Sequence, residues 1–191
     1  MILSVDTVII NGDFWDSYFV SFEEFLNSEW QKLFSLLKQK HAVYIYGNHD
    51  PQAKISKGYL QFADKAAAFF EFKSGGRTFY VEHGDRLSKP LQDRLSWLKL
   101  PLFIKKVHNF SEYLSAKMLK NRTPANYFKA RSLFARARKG KEKEVALVLA
   151  HSHLPVKDDK NNNYGTGYIG YGYGSYLLVT EDKVSRVESD Y

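Results

Sequence analysis

Four short polar segments contain the residues of this chain that are best suited to chemistry. They are Gly-Asp-Phe-Trp-Asp at residues 12–16, Gly-Asn-His-Asp at 47–50, His-Gly-Asp at 83–85 and His-Ser-His at 151–153. Their carboxylate and amide oxygens and imidazole nitrogens are ligands that divalent transition metals accept. The chain has no cysteine, which excludes thiolate-ligated zinc sites and disulfide scaffolds. The segments therefore predict a metal site with mixed oxygen and nitrogen ligands.

Each polar segment follows an apolar run that has the length and composition of a β-strand. These runs are rich in β-branched and aromatic side chains and cover residues 8–10, 42–46, 78–81 and 145–150. When several strands end at the same edge of a sheet, the polar groups that follow them lie close together. We therefore expect the four segments to converge at such an edge.

Helices and hairpins are predicted between these strands. Ser21 and Glu24 have the spacing of a capping box, and apolar residues then recur at helical intervals as far as Lys40, which predicts one helix. A shorter helix is predicted for residues 61–71. Residues 74–76 and 181–183 have the composition of hairpin turns.

Length and composition predict one domain over residues 1–191. The chain is 44% hydrophobic and 16% aromatic, which argues against disorder. No apolar run approaches the ~20 residues of a membrane-spanning helix, and the start lacks the basic-then-apolar pattern of a signal peptide. We therefore expect a cytoplasmic protein.

Residues 86–144 form a basic insert between the third and fourth polar segments. They contain 16 of the 28 Lys and Arg residues but only 4 of the 21 Asp and Glu residues, a net charge of +12. Apolar residues at helical spacing interleave with these cations. A basic amphipathic helix of this kind can lie on an anionic membrane, hold acyl chains or contact nucleic-acid phosphates. An ordinary solvated helical hairpin is the alternative.

The order of the polar segments resembles that of the calcineurin-like metallophosphoesterases. Their order is Asp-x-His, Gly-Asp-x-x-Asp, Gly-Asn-His-(Asp/Glu), a His in a His-Gly-Asp-like loop and Gly-His-x-His, and the resemblance covers nearly the whole chain. It implies an α/β fold, namely the αββα sandwich of mixed sheets with metal loops at strand ends. It also implies two divalent metal ions as cofactors, with manganese expected before iron, nickel or zinc.

The resemblance also assigns roles to individual residues. The implied metal ligands are Asp13, which would bridge the two ions, Asn48, His83 and His151 on the second ion, and His153 on the first. His49 would be the acid beside the leaving oxygen, with Asp50 behind it. The metals would activate a water molecule that attacks phosphorus in line.

Two departures from the family pattern are present. Ala150 replaces the usual Gly of the last motif, which is a minor change. No Asp-x-His precedes Gly12, so by the resemblance the first metal lacks two expected ligands, and we expect the first strand of the family fold to be missing as well. We expect this motif to lie upstream of Met1, and a one-metal or inactive family member is the alternative. The 191-residue chain is accordingly expected to be impaired in hydrolysis and prone to associate.

The basic insert resembles the cap of the UDP-2,3-diacylglucosamine pyrophosphohydrolases of lipid A biosynthesis. By that resemblance Arg131, Arg136 and Arg138 would bind the substrate phosphates. The best-known form of that enzyme has Arg where this chain has His49, which indicates a related branch.

The sequence therefore predicts metal-dependent hydrolysis of a phosphoester or pyrophosphate bond in a nucleotide-linked or lipid-linked substrate. The insert would provide a peripheral contact with the anionic inner face of the membrane. Two alternatives stay open. One is a nuclease-type phosphodiesterase that acts on nucleic acid, and the other is a non-catalytic interaction protein with the same fold.

Overall fold

The computed structural model describes residues 4–88, 118, 120 and 122–190, and these form two compact units. The first unit takes in Met1–Phe72 and Tyr80–His83, and the second takes in Lys73–Phe79 and Gly84–Tyr191. The α-helices are α1 (Phe22–Leu26), α2 (Gln31–Gln39) and α3 (Pro124–Ala137). The strands are β1 (Ile9–Asn11), β2 (Val43–Ile45), β3 (Lys65–Ala67), β4 (Phe69–Ser74), β5 (Arg77–Glu82), β6 (Ala146–Leu149), β7 (Pro155–Asp158), β8 (Asn163–Thr166), β9 (Ile169–Gly170), β10 (Tyr173–Val179) and β11 (Val184–Asp190). The prediction of a single domain stays a prediction.

A three-stranded parallel sheet with the order β1-β2-β3 organises the first unit. All three residues of the central strand β2 are buried, as its run of apolar side chains predicts. Asn11 pairs with Ile45 at the ends of β1 and β2. Because the two strands are parallel, the segments that follow them, 12–16 and 47–50, leave the sheet at the same edge.

The helical region of the first unit is divided in two. The predicted capping box is present, since the Ser21 hydroxyl accepts from the Glu24 N–H and the Glu24 carboxylate accepts from the Ser21 N–H. The prediction of one helix as far as Lys40 is wrong, because α1 ends at Leu26 and α2 begins at Gln31. The Asn27 side chain donates to the backbone carbonyl of Glu23, and the Ser28 hydroxyl donates to that of Phe25. Such local bonds compete with the helical backbone pattern.

Aromatic side chains fill the core beneath the parallel sheet. Trp15, Phe22, Phe25, Phe34 and Phe62 are all buried and belong to one cluster. Their ring centroids lie between 5.0 and 6.1 Å apart in the contacts that link them. The apolar helix positions therefore serve packing, as the sequence predicts, and the cluster also holds Trp15 of the first polar segment.

The helix predicted for residues 61–71 is wrong. A short 3-10 helix occupies Lys57–Gln61, and the chain then enters β3 and β4. Residues 65–67 pair in parallel with β2, from Lys65 opposite Val43 to Ala67 opposite Ile45. Alanine favours helix, but pairing with a buried strand outweighs so small a preference.

Among the described strands, the other two sheets are a five-stranded mixed sheet and a smaller antiparallel sheet, and strands β6 to β11 belong to the second unit. The mixed sheet has the order β4-β5-β6-β8-β7, in which β6 pairs in parallel with β8 and β7 pairs antiparallel to β8. Both predicted hairpin turns are present. Gly75 and Gly76 adopt the positive φ angles that a tight turn between β4 and β5 requires. The turn between β10 and β11 joins Val179 to its partner Val184.

Only part of the basic insert belongs to the described residues. Helix α3 lies in it and begins at a Thr123 N-cap, whose hydroxyl accepts from the Asn126 N–H at 3.2 Å, with Pro124 in the first turn. The helical pattern predicted before it falls mostly on residues 89–117, 119 and 121, which lie outside the described residues. Across the described ranges, no helix has both the length and the apolar character needed to cross a bilayer.

Candidate metal centre and active site

Three predicted ligands of the first unit meet at one point. Asp13 and Asn48 follow β1 and β2, and His83 follows β5. The Nε2 atom of His83 lies 3.2 Å from an Asp13 carboxylate oxygen and 3.1 Å from the Asn48 side-chain oxygen. His83 is only 2% exposed, so its ring is held in place by the surrounding chain. The ligand role of these residues stays a prediction, but their convergence is a property of the fold.

The orientation of the His83 ring makes this cluster suitable for a cation. Its Nδ1 lies 2.9 Å from the backbone carbonyl oxygen of Asn11, which can only accept a hydrogen bond. We therefore assign the proton of the neutral ring to Nδ1, which leaves a lone pair on Nε2. Three acceptor atoms then face one another, and a divalent metal between them would satisfy all three. The residues of the first unit thus fit a metal ion.

Two glycines of the polar segments are required by this close packing. A Cβ atom at Gly12 would lie 2.4 Å from Nδ1 of His83, and Gly12 also has a φ of +79°. A Cβ atom at Gly47 would lie 2.3 Å from an Asp13 carboxylate oxygen. The glycines therefore allow the loops to approach the ligand atoms, which explains why they precede Asp13 and Asn48 in the sequence.

Asp13 is held as an anion at the centre of this cluster. Burial by itself would raise its pKa, but a protonated His83 ring donates from Nε2 to this carboxylate, and that bond and the positive charges of the protonated His83 and His49 rings lower the pKa of Asp13 well below its usual range. One carboxylate oxygen also accepts from the His49 N–H at 2.9 Å. A carboxylate that stays ionised in this way is ready to bind a metal.

Asp50, which was expected behind His49, is bonded to the backbone of both loops, and its catalytic role stays a prediction. It is completely buried, and it accepts hydrogen bonds from the backbone N–H groups of Asp13, Phe14 and Gly47 and from the hydroxyl of Tyr44. Burial and the nearby Asp13 carboxylate raise the pKa of the Asp50 carboxyl, although the bonds from Tyr44 and from the Asp13 and Phe14 N–H groups oppose that effect. These contacts make Asp50 the anchor that ties the two metal-binding loops together.

The carboxylate beside His49 is Asp16. Nδ1 of His49 lies 3.0 Å from an Asp16 carboxylate oxygen, whereas Asp50 was expected behind the ring. The Tyr18 ring also contacts His49 edge-on, with the ring centroids 5.3 Å apart. No role was predicted for Asp16 from the sequence. The signal that identifies it is its spacing three residues after Asp13, which matches the second Asp of Gly-Asp-x-x-Asp.

His151 and His153 belong to the second unit and follow β6. The backbone turns tightly there, with the His153 N–H donating to the Ala150 carbonyl at 2.8 Å and His153 at a φ of +57°. The His153 ring rests against Tyr168, with the ring centroids 5.0 Å apart. The predicted roles of the two histidines as metal ligands stay predictions.

The arginines that were expected to bind substrate differ in their contacts. Arg131 is exposed on α3, and its role stays a prediction. Arg136 donates to the Leu87 carbonyl. The Arg138 guanidinium donates to the backbone carbonyls of residues 142, 145, 161 and 162 and to the side chain of Asn163. These contacts favour a structural role for Arg138.

The chain belongs to the calcineurin-like phosphoesterase family, whose family model matches residues 2–184. The predicted α/β fold of the metallophosphoesterase type is thereby confirmed. No curated protein matches the sequence. Among solved structures, Vacuolar Protein Sorting 29 from Cryptosporidium parvum is similar over 97% of this chain and 96% of its own, with 13% identity and a TM-score of 0.40.

Proposed function

We propose that this protein hydrolyses phosphoester or diphosphate bonds with the help of a divalent metal. Family membership supports the reaction class. The observation that carries the proposal is the cluster of three acceptor atoms from Asp13, Asn48 and His83, with His49 fixed beside it through its backbone N–H bond to Asp13. Metal ligands and a proton donor are the two components that such a hydrolysis needs.

We further propose a metal-ligand role for His151 and His153, and manganese as the preferred metal. The metal, when bound, would polarise the phosphoryl group and activate water. Asp13, Asn48 and His83 would orient the phosphoryl group by holding that ion at the edge of the sheet. The buried carboxylate of Asp50 would keep the two loops, and therefore these ligands, in register.

His49 would supply a proton to the leaving oxygen. Its Nδ1 is bonded to the Asp16 carboxylate, so Nε2 is the nitrogen that would carry the transferred proton. The negative charge of Asp16 stabilises the doubly protonated ring, which is the form that donates from Nε2. Asp16 also fixes the ring plane, so the donor points in one direction.

We propose a lipid-linked or nucleotide-linked diphosphate as the substrate, similar to UDP-2,3-diacylglucosamine. The net charge of +12 over residues 86–144 supports an anionic substrate or surface. Contact of this insert with the anionic inner face of a membrane belongs to the same proposal. A nuclease would instead show binding that weakens steeply with salt, so salt dependence separates the two substrate classes.

Two matched variants test the assignment of ligand and acid. His49→Ala should lower turnover of bis(p-nitrophenyl) phosphate with Mn²⁺ by about two to four orders of magnitude. Its bound metal, measured by mass spectrometry, should stay near the wild-type value. Asn48→Ala should instead lower the bound metal. Absence of Mn²⁺-dependent hydrolysis in the wild-type protein, or equal metal loss in both variants, would contradict the proposal.

The chain offers a close control for His49. His41 also has Nδ1 beside a carboxylate, that of Asp64 at 2.9 Å, but this pair is on the exposed surface away from the predicted ligands. His41→Ala should leave turnover unchanged. Asp16→Asn should lower turnover by roughly 10- to 100-fold, because it removes the charge and the orientation that Nδ1 receives.

A further inference from the structure

A turn beside His49 exposes three consecutive large apolar side chains. Tyr18, Phe19 and Val20 are 46%, 58% and 41% exposed. Single exposed apolar residues are common on protein surfaces, but a contiguous group next to reactive residues marks a binding surface more often than chance. The position of this turn, directly after Asp16, places the apolar group beside the proposed acid.

Hydrogen bonds attach this turn to the His49–Asp16 pair. One Asp16 carboxylate oxygen accepts from the Tyr18 N–H at 2.8 Å, and the other lies 3.0 Å from Nδ1 of His49. The Asp16 backbone carbonyl accepts from the N–H groups of Phe19 and Val20, at 3.1 and 3.2 Å. Asp16 therefore sets the position of the apolar turn and of the His49 ring at the same time.

A cavity of about 440 Å³, largely open to solvent, lies along this turn. It is lined by Trp15, Ser17, Tyr18, Phe19, Val20, Ser21, Phe22 and Lys54. This volume lies within the range of ~300–1,000 Å³ that is usual for small-molecule sites. Most of the lining side chains are aromatic or aliphatic, so the cavity suits an apolar group.

Lys54 gives the rim of this cavity a positive charge. It is the one charged residue among those that line the cavity. Its amino group donates to the backbone carbonyl and the hydroxyl of Ser17, at 3.3 and 3.0 Å, and lies 5.5 Å from the centroid of the Tyr18 ring. An apolar ligand that also carries a negative charge would match this combination.

We propose that the cavity is the leaving-group subsite of the hydrolase. It would hold an apolar aryl or acyl group joined to an anionic phosphoryl group, with Lys54 beside the phosphoryl oxygens. This inference rests on the proposed function, since His49 has to face the leaving oxygen. The preferred substrate is then a diphosphate whose leaving group is a phosphate that carries an apolar aryl or acyl group, and not an ester of a small alcohol.

The test compares 1-naphthyl phosphate with inorganic phosphate, both titrated into the full chain with Mn²⁺ by calorimetry. The wild-type protein should bind naphthyl phosphate more tightly than phosphate, since only the former has a ring to bury. Phe19→Ser should weaken naphthyl phosphate by about tenfold, or ~1.4 kcal/mol, and leave phosphate binding unchanged.

Matched exposed residues of the first unit supply the controls. Leu60 is 46% exposed and does not line the cavity, so Leu60→Ser should change neither affinity. Lys54→Gln should weaken naphthyl phosphate by about threefold, whereas Lys57→Gln, at another exposed lysine, should not. A thermal melt of each variant checks that the fold is kept.

The outcomes separate the subsite from the proposed hydrolysis. Tighter binding of naphthyl phosphate that depends on Phe19 supports the subsite, even if no ester is hydrolysed and the proposed function fails. Equal affinity of the wild-type protein for the two probes overturns the subsite, whether or not bis(p-nitrophenyl) phosphate is hydrolysed. Equal weakening by Phe19→Ser and Leu60→Ser overturns it as well.

Discussion

Asp50 in the first unit and Arg138 in the second are both charged side chains that hold several loops together, but they do so in opposite ways. Asp50 is completely buried and gathers donors, namely three backbone N–H groups and the Tyr44 hydroxyl. Arg138 is only partly buried and gathers acceptors, mostly backbone carbonyls of residues 142–163. The comparison shows that a charged residue in a functional pattern can act on the backbone instead of on a ligand.

The difference in burial sets the energetic cost of losing each group. The donors around Asp50 are buried or part-buried and would find little water to bond with, whereas the acceptors around Arg138 are part-buried or exposed. A buried polar group that loses its partner costs more than an exposed one. The expected loss of folding stability therefore decreases from Asp50 to Arg138, then to Tyr44 and to Glu188.

The largest effect is expected for Asp50→Ala. Four donors, two of them in fully buried bonds and two in part-buried ones, would lose their acceptor, which should lower the free energy of unfolding by about 3–5 kcal/mol. Chemical denaturation measures the loss, and bound Mn²⁺ should fall because the loops carrying Asp13 and Asn48 lose their anchor. Asp64→Ala, at an exposed aspartate, is the control and should change stability little. Similar losses in both variants would show that Asp50 is not an anchor.

Arg138→Ala should lower the free energy of unfolding by about 1–3 kcal/mol, because several carbonyl acceptors must bond to water instead. Arg138→Lys should restore only part of the loss, since an ammonium group cannot span acceptors as a guanidinium does. Arg131→Ala, on the exposed face of α3, should be close to wild type in stability. If Arg138→Ala is fully stable but raises KM for a diphosphate substrate, Arg138 binds substrate as the sequence predicted.

Tyr44→Phe isolates one of the four bonds to Asp50. The hydroxyl donates to the Asp50 carboxylate at 2.6 Å, and burial raises the Tyr44 pKa far above its usual value, so the group stays a donor. Its removal should cost about 1–2 kcal/mol, less than the loss of Asp50 itself. A double variant with Asp50→Ala should then be no less stable than Asp50→Ala alone, because the bond is already absent. Additive losses would contradict the shared bond.

The smallest effect on stability is expected for Glu188, whose carboxylate accepts hydrogen bonds from the Tyr173 hydroxyl and the Arg122 guanidinium. Burial alone would raise its pKa, but bonds from the Tyr173 hydroxyl and Arg122 and the charge of Arg186 lower the pKa below the usual value of 4.5. The folded pKa is thus below the unfolded pKa, so this stabilisation is complete above about pH 5 and is lost as the pH falls. Between about pH 7 and pH 3.5, wild type should lose up to about 1 kcal/mol more than Glu188→Gln in unfolding experiments.

The parts of the fold that local chemistry controls were predictable. The run of buried residues in β2, the capping box at Ser21 and the glycine turn at 75–76 all depend on neighbours in sequence, and the structure shows each of them. The helix predicted at 61–71 is wrong because the helical preference of its alanines is small in energy, and it is outweighed by pairing with β2 residues 22 positions earlier in the chain.

The sequence by itself determined which residues could serve as metal ligands and which family the chain joins, because strand-end spacing and residue type are local properties. Only the tertiary structure decided which carboxylate serves His49. Asp50 is its neighbour in sequence but turns into the core, whereas Asp16 arrives from a loop 33 residues away and meets the ring at 3.0 Å. Successive side chains in a turn point in different directions, so partners in a site are chosen by how parallel strands bring their loops together.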